Sequence, residues 1–255
     1  MLLALDVSNA ATAIGLFDGE ALHASWRLTS DLQRTSDEYG LLLCSLLDRA
    51  GVQRSAVHHA VLGSVVPRLS VTLVEACRRY LGLSPLVVGP GVRTGVRILT
   101  DQPREVGADR VANALAAFRR LGGPAIVLDF GTATTLDAIS REGDYLGAVI
   151  APGVLLAAQA LARQTAQLPG VDVVRPRQVI GKSTVAAVQA GLVFGYAAMV
   201  EGLVARVWRE LGDEGRVVAT GEFAEVIAAE TGVVDVVDPH LTLHGLRLIH
   251  DLNRR

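Results

Sequence analysis

Two aspartates in this chain close short strings of nearly the same make-up. Asp6 ends the apolar run LALD and is followed by VSNAATAIGLFDG, and Asp129 ends IVLD and is followed by FGTATTLDAISREGDY. Each reads apolar strand, Asp, one apolar residue, a small residue, a turn, Thr, a second apolar strand and an acidic-Gly turn. The aspartates lie 123 residues apart (129 − 6), which sets Ser8 against Gly131 and Thr12 against Thr135. Such a pair could handle phosphate. Backbone N–H groups and hydroxyls in a turn bind anions, and a strand-end carboxylate holds a cation or a metal-bound water beside them. Two facing turns of this kind are equipment for phosphoryl transfer, which needs a positioned and neutralised γ-phosphate and a base for the acceptor. A duplicated α/β domain with a central nucleotide cleft accounts for the repeat; two hairpins alike by chance is the competing reading.

Two further stretches carry chemistry. In 107-GADR-110 the carboxylate of Asp109 opens a predicted helix beside Arg110. It could accept a hydroxyl proton, or stabilise the positive end of its own helix by ~0.5 kcal/mol. Arg110 could hold a substrate carboxylate with its planar fork or form a surface ion pair. The string 181-GKST-184, with the chain's one lysine, looks like the end of a P-loop. That motif needs glycine five residues before Gly181, and Pro176 stands there. No GxGxxG follows a strand, so a dinucleotide site is unsupported.

The elements that must position these residues alternate. Strands are expected at 2–7, 13–19, 21–28, 58–66, 84–89, 125–130, 217–220 and 233–237. Helices are expected at 35–50, 68–81, 108–121, 153–167, 184–211, 223–230 and 242–253. This alternation predicts an α/β fold. Gly122-Gly123-Pro124 is the best punctuation, which divides the chain into domains 1–122 and 123–255.

Composition excludes other classes. Half of the 255 residues are hydrophobic, enough for a large core, and the net charge of −2 disfavours nucleic acid as a partner. Cys44 and Cys77 sit in apolar patterns and read as buried thiols. Met1 begins directly on a strand-like run, with no signal-type segment. No apolar stretch reaches the ~20 residues that span a bilayer. The expectation is a soluble cytoplasmic protein with no membrane partner.

In order along the chain, DVSNAAT, GPGVRTG, DQPREVGADRVANALAA, VLDFGTATTLDAIS, GAVIAPG, VIGKSTVAAVQAG and VVATG closely resemble the type III pantothenate kinases. These belong to the actin-like, sugar-kinase-like ATPase superfamily, and the same sequence family includes proteins labelled Bvg accessory factors. The resemblance covers essentially the whole chain. It implies duplicated actin-like (ribonuclease H-like) domains and ATP-dependent phosphorylation of pantothenate to 4′-phosphopantothenate, the first step of coenzyme A synthesis. It further implies Mg2+ with ATP, a monovalent cation (K+ or NH4+), and a homodimer with its site near the interface. By position it implies Asp109 as catalytic base, Gly107, Ala108, Asp109, Arg110 and Thr184 as substrate contacts, and Asp129 as the monovalent-cation ligand. ATP contacts fall on Asp6, Val7, Ser8, Asn9, Ala10, Ala11, Thr12, Ala13 and Thr132.

Some positions depart from the family pattern. Ser8 and Ala10 replace the glycine and threonine usual in the first turn, Ala11 an often polar residue, and Thr100 a frequent tyrosine before the acceptor loop. Glu222 stands where glycine lets the nucleotide approach. If position 8 needs φ > 0, serine costs roughly 1–2 kcal/mol. The departures leave an impaired homologue that acts by binding, as an accessory or regulatory protein, as an alternative expectation. A kinase for another small acceptor is a third.

Overall fold

The first of the two matched strings folds as β1 (Leu2–Val7) and β2 (Ala11–Asp18), and β3 (Ala21–Thr29) continues the meander. The computed structural model describes residues 1–254 of the chain. After β3 come α1 (Ser36–Arg49), β4 (His59–Ser64), α2 (Pro67–Leu81), the short β5 (Leu86–Val87) and α3 (Ala108–Leu121). Local chemistry sets the boundaries. Thr35 and Glu38 cap α1 reciprocally, Pro67 starts α2 where its missing N–H costs nothing, and left-handed Gly82 ends it. The sheet order is β3-β2-β1-β4-β5, with β1 antiparallel to β2 and parallel to β4.

The second string repeats this plan. β6 (Ala125–Phe130), β7 (Ala133–Ile139) and β8 (Tyr145–Pro152) form the meander. They are followed by α4 (Val154–Gln164), α5 (Thr184–Leu211), β9 (Arg216–Gly221), α6 (Ala224–Ala228), β10 (Val236–Val237) and the closing α7 (Leu241–Asn253). Read from the β8 edge, the order is β8-β7-β6-β9-β10, strand for strand that of the first sheet. Ile126, Leu128 and Phe130 face a core built with α4, α5 and α6. By strand alternation Asp129 therefore faces the other side of the sheet.

Two compact units result. The first holds Met1–Val96, Asp101–Ala116 and the segment from Leu241; the second holds Arg97–Thr100 and Ala117–His240. This division departs from one at 122/123 in two ways. It falls within α3, and α7 belongs with the first unit, where Leu243, Leu246 and Ile249 pack on Leu2, Ala4 and Val61. In the second unit Arg120, near the C-terminal end of α3, pairs with Asp238.

Both cysteines are buried, and burial pushes the Cys77 thiol up to about 12. One sequence expectation fails. The 28-residue α5 is long and apolar enough, by length and composition, to cross a membrane, its best window averaging a hydropathy of 1.5. Leu192, Val193, Ala197, Val200 and Val204 of this helix pack in the second unit's core. A continuous helix that serves as a core element passes the same test as a membrane span.

Candidate active site

In the first unit the turn Ser8–Ala11 joins β1 to β2. Ser8 N–H donates to the Ala11 carbonyl at 3.0 Å, and the Ser8 hydroxyl donates to the same oxygen at 2.8 Å. Ser30 N–H donates to the Ala10 carbonyl at 3.1 Å, which ties the turn to the end of β3. Asn9 and Ala10 form the exposed tip, and the bonds that close the turn do not use their N–H groups. Among the described residues no position other than glycine has a positive φ. Ser8 therefore carries none of the strain anticipated for it. Its added oxygen tightens the turn, because the hydroxyl bonds across it to the Ala11 carbonyl at the start of β2 rather than toward the tip.

The register also corrects the alignment of the two strings. Val7 pairs with Thr12 and Phe130 with Thr134, so the first turn holds four residues (8–11) and the second three (131–133). Thr12 is thus the structural counterpart of Thr134, and Ala13 of Thr135. Thr12 is fully buried with its hydroxyl 2.9 Å from that of Ser30.

Asp6 pairs in register with Ala13 on one side and Gly63 of β4 on the other, at the C-terminal ends of β1 and β4. The segment leading into α3 comes to the same strand ends: a Cβ built on Gly107 would lie 3.1 Å from Cγ1 of Val65. The Gly107 carbonyl accepts the Val111 N–H at 3.1 Å, so Gly107 caps α3, and Ala108, Asp109 and Arg110 form its first turn. Asp109 is half-buried and accepts the Arg110 N–H at Oδ1, 2.8 Å away. The same oxygen occupies the space over Gly107, 2.3 Å from where a side chain there would begin. Glycine is what lets this carboxylate lie back over the helix start.

The second unit carries the other half of the matched residues. Gly131 N–H donates to the Ala133 carbonyl at 3.1 Å, and Thr132 is exposed at the turn. The β8–α4 junction is held by Tyr196, whose hydroxyl donates to the carbonyls of Pro152 at 2.9 Å and Gly153 at 3.2 Å. Gly153 caps α4 with no side-chain bond. Asp129 lies between Thr135 of β7 and Thr220 of β9 in register. Gly221 follows with φ +93°, and a Cβ there would sit 2.7 Å from Asp129 Oδ1 and from the Phe130 backbone. A side chain at 221 would fill the space the carboxylate uses. Glu222, next in sequence, is exposed, where solvent and salt screen its charge.

At the GKST string, Ser183 rather than Thr184 caps α5, accepting the Ala186 N–H at 3.2 Å; Thr184 is the exposed first helical residue. No strand precedes the string, so it is not a P-loop. Sequence reasoning missed a buried polar group beside Asp129. Asp137 is fully buried, taking the Tyr145 hydroxyl at 2.7 Å and the Thr135 hydroxyl at 3.2 Å. The available signal was a carboxylate two residues after Thr135 in the strand TTLDAI, and so on the face that Thr135 presents.

Two five-stranded sheets with this shared order, each carrying an aspartate one residue before the end of its first strand, define an actin-like ATPase and sugar-kinase fold. Solved structures agree. The activator of the 2-hydroxyisocaproyl-CoA dehydratase from Clostridium difficile, with bound ADPNP, superposes with a TM-score of 0.58 at 16% identity over 98% of this chain and 95% of that one. The inorganic polyphosphate/ATP-glucomannokinase from Arthrobacter sp. strain KM gives 0.55 at 14% identity over 99% of both. A Baf family protein from Campylobacter jejuni gives 0.60 at 17% identity over 98% of both. The family model for type III pantothenate kinase matches residues 2–206. The type III pantothenate kinase of Moorella thermoacetica is 50% identical over 253 residues, covering 99% of this chain and all of the relative. Type III pantothenate kinase 2 of Symbiobacterium thermophilum is 51% identical over 254 residues, covering 98% and 96%. The chain belongs to the type III pantothenate kinase family.

Proposed function

We propose that this protein is a kinase that transfers the γ-phosphoryl group of ATP to the 4′-hydroxyl of pantothenate, the first step of coenzyme A synthesis. The observation that carries the reading is the start of α3. There Gly107 makes room for a half-buried Asp109 carboxylate at the strand ends where Asp6 also lies, in a chain about half identical to pantothenate kinases over its whole length. In this reading Asp109 accepts the hydroxyl proton as the hydroxyl oxygen bonds to the γ-phosphorus and ADP leaves with the electron pair of the broken P–O bond. Arg110 receives the pantothenate carboxylate with paired N–H groups, beside Gly107 and Ala108, with Thr184 as a further contact. The phosphate turns are Val7–Ala13, with N–H groups at the exposed Asn9 and Ala10, and Gly131-Thr132.

The donor atoms fit hard cations. Asp6 and Asp129 offer carboxylate oxygens and Thr135 a hydroxyl. Carboxylate and hydroxyl oxygens are hard donors, suited to Mg2+ and alkali cations rather than to softer metals. Asp6 would hold Mg2+ that accompanies ATP, and Asp129 a monovalent cation, K+ or NH4+. When bound, these cations neutralise phosphate charge.

A homodimer follows from the same reading. On α5 the exposed small residues Ala187, Gly191, Gly195 and Ala198 recur on one face, and Ile150, Leu155 and Val185 are exposed apolar side chains of the same unit. A second copy would cover them, which accounts for an apolar helix in a cytoplasmic enzyme.

The test mixes purified protein with pantothenate, Mg-ATP and KCl and follows product by mass spectrometry. Formation of 4′-phosphopantothenate is expected. Pantothenate binding without product at high enzyme concentration would overturn the kinase reading in favour of an accessory one.

A further inference from the structure

We propose that Asp137 is a positioning residue. It takes the Thr135 hydroxyl hydrogen and so turns the lone pairs of that oxygen, rather than its hydrogen, toward Asp129, so that the two present paired hard oxygens to a monovalent cation. The proposal rests on the reading of Asp129 above and adds two residues to it.

The geometry is contained in three neighbouring strands of the second unit. Thr135 lies directly opposite Asp129 in the β6–β7 register, and side chains of such a pair share one face, with Cβ atoms about 5 Å apart. Two residues on, Asp137 occupies the same face of β7 and is fully buried, as is Tyr145 of β8. The Tyr145 hydroxyl donates to Asp137 Oδ1 at 2.7 Å, and the Thr135 hydroxyl donates to Asp137 Oδ2 at 3.2 Å.

The consequence follows from donor counting. A carboxylate only accepts, and threonine has a single hydroxyl hydrogen. With that hydrogen directed to Asp137, the Thr135 oxygen keeps its lone pairs for other partners. Turned the other way, the same hydroxyl would donate to Asp129 and occupy a carboxylate oxygen that a cation needs. Asp137 therefore decides whether Thr135 competes with a cation for Asp129 or joins it as a ligand. Tyr145 holds the carboxylate that makes this choice. Its own position is fixed by backbone pairing, since Tyr145 N–H donates to the Arg97 carbonyl and Leu99 N–H to the Tyr145 carbonyl, both at 2.8 Å. A purely structural role would explain the burial but not this siting, because a buried carboxylate is a costly way to fill a core.

The test substitutes Asp137→Asn. Asparagine keeps an oxygen for Tyr145 but turns an NH2 toward Thr135, which drives the threonine hydrogen toward Asp129. Two quantities are read. One is the melting-temperature rise in KCl over choline chloride at equal ionic strength, without substrates. The other is the KCl concentration giving half-maximal activity. Groups that orient metal ligands are worth about 10–100-fold in metal affinity. A rise of at least ~10-fold in half-saturating KCl is therefore expected, with loss of the K+-specific melting shift. Thr135→Val removes the hydroxyl and should do the same, whereas Thr135→Ser should restore the response; this pair decides the matter if Asp137→Asn does not fold. Wild-type K+ responses in both Asp137→Asn and Thr135→Val overturn the proposal. So does a wild-type protein that forms product with no K+ dependence, which leaves the kinase reading standing. A K+-specific melting shift without product would overturn the kinase reading alone.

Discussion

Gly107→Ala isolates the position of one carboxylate. The new Cβ would stand 2.3 Å from Asp109 Oδ1. Contact between carbon and oxygen is comfortable only near 3.3 Å or beyond, so the carboxylate must retreat by about 1 Å, and a 1 Å misplacement of a reacting group costs about 100-fold. At ~1.36 kcal/mol per tenfold, that is about 2.7 kcal/mol of transition-state stabilisation. Stability should scarcely change. Gly107 has no left-handed φ, so alanine adds no strain there. Its lower unfolded-state entropy contributes about 0.4–1 kcal/mol, and its poorer N-capping removes a similar amount. For a chain of this size the melting temperature should stay within about 3 °C. The assay follows ADP release at varied pantothenate, beside Asp109→Asn as the reference for a lost base. Displacement of the base predicts a fall mainly in kcat; loss of a pantothenate contact alone would raise KM and spare kcat. A Gly107→Ala enzyme with kcat within about threefold of wild type and unchanged melting would refute the argument, since the space over Gly107 would then have no bearing on the chemistry.

Gly221→Ala should lower stability by about 1–2 kcal/mol from the left-handed backbone alone. It should also weaken the K+ response, because its Cβ meets Asp129 Oδ1 and the Phe130 backbone; calorimetry with and without KCl reads both, and an unchanged melting curve would contradict it. Cys44 and Cys77 should resist a thiol reagent in native protein at neutral pH and react fully in denaturant, since burial raises both thiols, Cys77 to about 12; rapid native labelling would disprove the burial. The His250 ring is buried against His59 at 5.0 Å between centroids, and burial lowers both imidazoles below 6.5. The stability they contribute is present above pH 6.5 and is lost as pH falls through the lowered folded values. Melting temperature should therefore drop less in His250→Phe than in wild type between about pH 7.5 and 5.5, and equal drops would exclude the pair as a cause.

Regular elements were the most legible part of the sequence. The helices 108–121 and 184–211 and the strand 125–130 fall where periodicity places them, because each combines an apolar pattern with a cap or a Gly/Pro boundary. The repeat was legible as well, and both sheets share one strand order. Alignment by a constant offset was less reliable. It set Thr12 against Thr135, whereas hydrogen-bonded register sets it against Thr134, because a turn of four residues cannot be told from one of three by spacing alone. Fear of strain at Ser8 likewise came from residue type, and strain depends on φ, which only the folded turn defines.

Composition and local pattern by themselves determined the α/β class, the two aspartate turns and the GADR helix start, because these depend on neighbours within about twenty residues, and matching two such strings showed the duplication. Long-range packing decided the rest. It returned α7 to the first unit through Leu243, Leu246 and Ile249. It brought the start of α3 against Val65 and set Asp129 against Gly221. It also set Thr135, whose hydroxyl donates to the buried Asp137 carboxylate, opposite Asp129 of β6. Packing between elements decides these positions, and no local propensity encodes which side chain will meet which.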